Sequence, residues 1–201
     1  AVRIAASEEE EAGFSAVSAA YSMSIETEMK SGVYYTPYYP LTLPEGAAPY
    51  HDAYIRNSSQ RTSYAVLYTD AHTDVPDETY EAFVHETYTQ VPDQTRQALA
   101  DILQQLDVQP GDDPHRILAA VQSYVSSSAR YDLNTPAVPD GEDFVSWFLL
   151  ESETGYCVHF ATAAAILLRC MDVPARYVTG FSTNVTAGSW TTVTTDDAHA
   201  W

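Results

Sequence analysis

The chain has 201 residues, 45% apolar and only 18% charged, a balance that supports a sizeable core and excludes a disordered chain. Nine basic residues, with Lys30 the single lysine, face 28 acids, for a formal net charge of −19. A field of that sign repels phosphate, which argues against nucleic acid and anionic membrane surfaces as partners.

No apolar run approaches the ~20 residues that cross a bilayer. The opening AVRIAASEEEEAGF lacks the basic-then-apolar layout of a signal peptide, and both ends read as cut points. From Ser7 to about Ser31 the pattern predicts a helix. Ser7 caps it, Glu8–Glu11 suit its positive end, Gly32 stops it, and Phe14, Val17, Tyr21, Ile25 and Met29 recur at three to four. The Tyr- and Pro-rich VYYTPYYPLTLPEGAAPYHDAY then predicts an extended segment and ordered loop, and TSYAVLYT (62–69) a strand.

DETYEAFVHETY and DQTRQALADILQQL predict two helices, each opened by an Asp cap and separated at Val91-Pro92. PGDD is a turn, and Asp113-Pro114 opens a helix with Ile117, Leu118, Val121, Tyr124 and Val125 on one face. A soft boundary falls near residue 110, dividing the chain into 1–109 and 110–201. After a turn-rich loop, FVSWFLL predicts a short apolar helix. ARYVTGF (175–181) and SWTTVTT (189–195) predict two strands joined by a turn around Asn184–Gly188, and DDAHAW begins another strand.

The most apolar helix spans Tyr156 to Met171, with Gly155 before it and Val173-Pro174 after it. Cys157 thus sits in the first turn, where free backbone N–H groups and the helix dipole favour a thiolate and could cradle an oxyanion. Cys170 sits 13 residues on, about 20 Å along a helix, too far for a disulfide. It reads as a core residue at the end where the dipole disfavours a thiolate. A nucleophile needs a base. His51, His72, His85 and His115 lie on helix surfaces or in turns, and His159 points away from Cys157 and reads either as packed or as a residue supporting the site from behind. That leaves His199, carried on a strand 42 residues after Cys157. Cys157, His159, Cys170 and His199 lack zinc-site spacing. No metal or other cofactor is expected.

GYCVHFATAAAILLRCMDVPARYVTGF followed by DDAHAW resembles the core of the transglutaminase-like superfamily, in particular the bacterial branch with GYCxHFA, GxPARxVxGF-type and AHAW motifs. The resemblance spans about 100–201 and includes the lead-in PDGEDFVSWFL. The part before about residue 100 resembles, more weakly, the extracytoplasmic region that precedes this core in membrane-anchored bacterial members.

The resemblance implies an α+β, papain-like fold with the nucleophile helix packed on an antiparallel sheet, plus a helical, Tyr-rich N-terminal subdomain. It implies Cys157 as nucleophile and His199 as base in acyl transfer or hydrolysis at amide carbonyls. The family's triad acid lies a strand beyond Trp201, so the chain as given is expected to turn over little. Asp196 and Asp197 match the residues just before the family's histidine. On an alternating strand Asp197 would share its face with His199.

Trp147 and Tyr131 are candidate second oxyanion donors. The implied partners are protein or peptide substrates, cell-wall associated, with any membrane anchor outside this chain and an extracytoplasmic, cell-surface location. No EF-hand loop is present, so no calcium dependence is inferred. The alternative is a catalytically silent extracytoplasmic binding or scaffold domain of the same fold. Retention of both Cys157 and His199 argues against it.

Overall fold

The structure is a computed structural model that describes residues 2–6, 20–28, 32–50, 53–56, 62–69 and 78–201. Chain order runs β1 (Val2–Ala6), β2 (Tyr21–Thr27), β3 (Val33–Tyr34), β4 (Ala48–Tyr50), β5 (Ala53–Ile55) and β6 (Thr62–Tyr68). It continues with α1 (Glu78–Tyr88), α2 (Asp93–Ala98), α3 (Ala100–Gln105), α4 (Pro114–Ser128), β7 (Arg130–Tyr131), α5 (Phe144–Leu150), β8 (Thr154–Gly155) and α6 (Cys157–Cys170). The last elements are β9 (Thr179–Phe181), β10 (Thr191–Val193), a 3-10 turn at Thr195–Asp197 and β11 (Ala198–Ala200). Two compact units result, 1–75 with 180–198 and 76–179 with 199–201. The mixed helix and antiparallel-sheet class is the one expected.

In the first unit an antiparallel sheet runs β10-β1-β2-β6. Val2, Ile25, Val66 and Val193 form its core. Residues 7–19 and 29–31 of the expected N-terminal helix lie outside the described residues, but Tyr21–Thr27 is a strand. Its Ile25 and Thr27 are buried two apart, the strand period, and every residue of β2 finds a partner in β6. Tyr21 and Ile25 fit a helical spacing equally well. Pairing with distant strands decides the conformation, and local sequence does not carry it.

The Tyr- and Pro-rich segment is extended, as predicted, and contributes the three-stranded sheet β3-β5-β4. The expected hairpin of the 175–181 and 189–195 segments does not form. β10 pairs with β1 through Val2↔Val193, and β9 pairs with β11.

The second unit buries Leu99, Ile102, Ile117, Val121, Val125, Phe148 and Leu167 in one cluster. Residue 110 lies inside this unit, since α2–α3 and α4 supply the same core. Asp113 caps α4, accepting from the His115 and Arg116 N–H groups at 2.8 and 3.3 Å. The expected cap at Asp93 is not one. Pro92 takes that place and Asp93 is the first helical residue. Leu99 divides the predicted second helix into α2 and α3. Asp143 caps α5 through the Ser146 N–H at 2.9 Å. Among the described residues no helix is long and apolar enough to cross a membrane.

Candidate active site

Cys157 is the first residue of α6, in the first turn as the sequence predicts, and is half-buried. The chain reaches it through a short parallel pair in which Tyr131 faces Gly155. The Asp132 N–H donates to the Gly155 carbonyl at 2.8 Å. Gly155 is buried, and a Cβ there would collide with Phe148 and lie 3.1 Å from the His159 Cβ. Only glycine brings the chain this close to α5 just before the cysteine. Tyr156 then takes the extended N-cap conformation, and its carbonyl accepts from the His159 and Phe160 N–H groups at 2.8 and 3.3 Å. The Cys157 and Val158 N–H groups precede these bonds and have no carbonyl within the helix to bind.

His199 is carried by β11 and exposed. Val178 and Trp201 exchange backbone hydrogen bonds of 2.8 and 3.0 Å, which fixes the strand that presents it. Two residues apart on one strand face, the His199 and Trp201 rings stack at 6.0 Å and 24°. Cys157 and His199 both line one cavity of about 700 Å³ in the second unit. Its walls come from Val121 and Val125 of α4 and from Ala161 and Ala164 of α6. Small side chains on α6 leave the hollow open.

The other named residues separate cleanly. Cys170 is buried, and burial pushes its thiol above the ordinary range against the opposing charge of Arg96. Trp147 belongs to the core and does not line the cavity. Tyr131 does line it, with its ring stacked on Phe160 at 6.1 Å. The expected facing of Asp197 does not arise, because residues 195–197 form a 3-10 turn. The Asp197 carboxylate accepts the Thr194 N–H and hydroxyl at 2.8 and 3.2 Å. His85 is exposed beside Asp172 at 3.3 Å, and His115 is exposed at the start of α4. His51 and His72 lie outside the described residues. His159 is buried and packed, as expected.

Tyr177 has no place in the sequence reading. Partial burial pushes its phenol upward, and the electrostatic influence of Cys157 and Tyr156 adds in the same direction, so it stands within reach of the thiol. Its only sequence signal is membership in the ARYVTGF segment.

A thiol at a helix entrance, a histidine on a strand and a shared cavity are the kinds of group that nucleophilic thiol chemistry draws on. The chain belongs to the transglutaminase-like superfamily, whose family model matches residues 100–201. It is 37% identical over 107 residues to a protein-glutamine gamma-glutamyltransferase of Pseudomonas aeruginosa. It is 35% identical over 101 residues to the uncharacterized protein YebA of Bacillus subtilis. These matches cover 52% and 46% of this chain but only 15% and 14% of the relatives. Among solved structures, the periplasmic domain of TgpA from P. aeruginosa bound to ethylmercury is similar, with a TM-score of 0.67 at 26% identity. That likeness covers 90% of this chain and 66% of the TgpA chain. A second crystal structure of the same domain matches with a TM-score of 0.63 at 24% identity, which speaks to fold alone.

Proposed function

We propose that the protein performs cysteine-dependent acyl transfer on amide carbonyls, with Cys157 as nucleophile and His199 as base. The observation that carries this reading is that both residues line one cavity, with Cys157 as the first residue of α6. The Cys157 thiolate attacks the carboxamide carbon, forming a C–S bond while the carbonyl electron pair moves onto oxygen. The Cys157 N–H, pointing out of the helix, stabilises that oxyanion. When the tetrahedral species collapses, the C–N bond breaks and His199 gives its proton to the leaving amine. An acceptor amine then attacks the thioester, His199 takes its proton, and the thiolate leaves. Water in place of the amine gives hydrolysis.

The name of the P. aeruginosa relative supports a glutamine γ-carboxamide as donor and an amine as acceptor. The TgpA structure at 26% identity is of a periplasmic domain, which supports an extracytoplasmic setting. The net charge of −19 favours a cationic acceptor such as a lysine-bearing chain.

The test is iodoacetamide alkylation followed by peptide mass spectrometry, with Cys170 as internal reference. Cys157 should react far faster at neutral pH, and His199→Ala should slow Cys157 alone. Equal rates at both cysteines, unchanged by His199→Ala, would overturn the reading.

A further inference from the structure

His159 lies two residues after Cys157, has 4% of its surface exposed, and takes no direct part in the acyl-transfer scheme. Its imidazole is enclosed by rings. Phe144 stacks on it at 4.9 Å and 20°, Tyr156 meets it edge-on at 4.5 Å, and Phe148 lies 5.3 Å away. A ring held this way would be plain core, and phenylalanine would suit the site better, except for one polar contact. Nδ1 of His159 accepts the backbone N–H of Tyr156 at 3.3 Å. Accepting there leaves the ring proton on Nε2.

The same residue also holds the other end of Tyr156, whose carbonyl accepts the His159 backbone N–H at 2.8 Å. Tyr156 is therefore held at its C=O by the backbone of residue 159, as any residue there would hold it, and at its N–H by the His159 ring. The peptide plane that contains the Tyr156 carbonyl also contains the Cys157 N–H, opposite in direction. Fixing the carbonyl inward along the helix fixes that N–H outward, beside the thiol. Tyr156 has the extended backbone of an N-cap, with φ −127° and ψ −178°, and its side chain provides no cap hydrogen bond. The ring of His159 supplies what a Glu or Gln at the third helical position supplies in a capping box, an acceptor for the N-cap N–H.

We propose that His159 is a positioning residue that clamps Tyr156 and thereby aims the Cys157 N–H at the site of thiolate and oxyanion charge. The proposal rests on the acyl-transfer reading of Cys157. Burial holds the imidazole below its ordinary pKa, which keeps Nδ1 an acceptor through the neutral range.

Three variants of the whole chain separate the clamp from simple packing. His159→Asn keeps an acceptor near the place of Nδ1 and loses the ring. His159→Phe keeps the ring and loses the acceptor, and His159→Ala loses both. The readouts are the Cys157 alkylation rate at pH 7, hydrogen exchange of the Tyr156 N–H, and the unfolding temperature. Asn should keep the rate within about twofold and the N–H protected, whereas Phe and Ala should slow alkylation about tenfold and expose the N–H. Wild-type rate and protection in Phe with loss in Asn would overturn the clamp and leave packing. If Cys157 in the unsubstituted protein reacts no faster than Cys170, the acyl-transfer reading falls. The exchange of the Tyr156 N–H still decides the clamp in that case.

Discussion

Thr95 and Asp143, 48 residues apart, are joined by a 3.0 Å hydrogen bond from the threonine hydroxyl to one carboxylate oxygen. The other oxygen accepts both the N–H and the hydroxyl of Ser146 at 2.9 Å each. One side chain thus starts α5 and ties it to α2, and α5 is the helix against which Gly155 and His159 pack.

Asp143→Ala should therefore destabilise the second unit by about 1–3 kcal/mol, read by urea unfolding. Burial alone would raise this carboxyl, but the Ser146 and Thr95 donors outweigh it and hold it low. Its folded pKa lies below its unfolded one. The contribution is therefore complete above about pH 4 and lost as pH falls through the folded value. Thr95→Val should remove a smaller share over the same window.

Gly155→Ala should disturb the site more than its size suggests. The added methyl meets Phe148 of the core and the His159 Cβ, neither at the free end of a flexible chain. A cost of about 1–3 kcal/mol is expected, with slower Cys157 alkylation because the helix entrance must shift. Normal stability together with a normal alkylation rate would show that α5 yields without effort.

His159 predicts a pH dependence of opposite origin to that of an ion pair. Its folded pKa is depressed by burial, so between that value and the unfolded ~6.5 the unfolded chain binds more protons. Stability from this residue is complete above about pH 6.5 and declines as pH falls through the folded value. The unfolding temperature followed from pH 8 to 4 should show this fall, and His159→Asn should lack that component.

Tyr64 makes the matching prediction at the alkaline end. Its hydroxyl donates to the Tyr35 carbonyl at 2.9 Å and accepts the Tyr35 N–H at 2.8 Å. Burial pushes its pKa up to about 12. The raised value means its stabilisation is whole below about pH 10 and lost as pH climbs through about 12. A late-ionising component should appear in an absorbance titration, and Tyr64→Phe should remove the part near pH 12 while costing about 1–2 kcal/mol.

The helical half of the fold was legible because its signals are local. Asp113-Pro114 announces α4, and the apolar run bounded by Gly155 and Val173-Pro174 announces α6, so Cys157 could be placed on its first turn from sequence alone. The sheet of the first unit was not legible. Tyr21 and Ile25 satisfy the helical and the strand period together, and β10 has its partner at the far end of the chain. Asp197 was misread for a related reason. Thr194 and Asp197 form a reciprocal three-residue cap, which overrides the strand alternation the sequence suggested. His159 was correctly read as packed, yet its hydrogen bond to Tyr156 depends on a ring cage that only the tertiary structure assembles.

The pairing of Val2 with Val193 joins two segments far apart in the sequence, and it sets an order of assembly. Closing so long a loop carries a large entropy cost, and such contacts form late. During synthesis α4, α5 and α6 have all their core partners once residue 173 has emerged. β1 must wait until β10 leaves the ribosome. Until then one edge of β1 stays unpaired, a template for another chain's strand. Nascent chains stalled before residue 191 should accordingly aggregate through β1, while the cysteine-bearing helix is already folded.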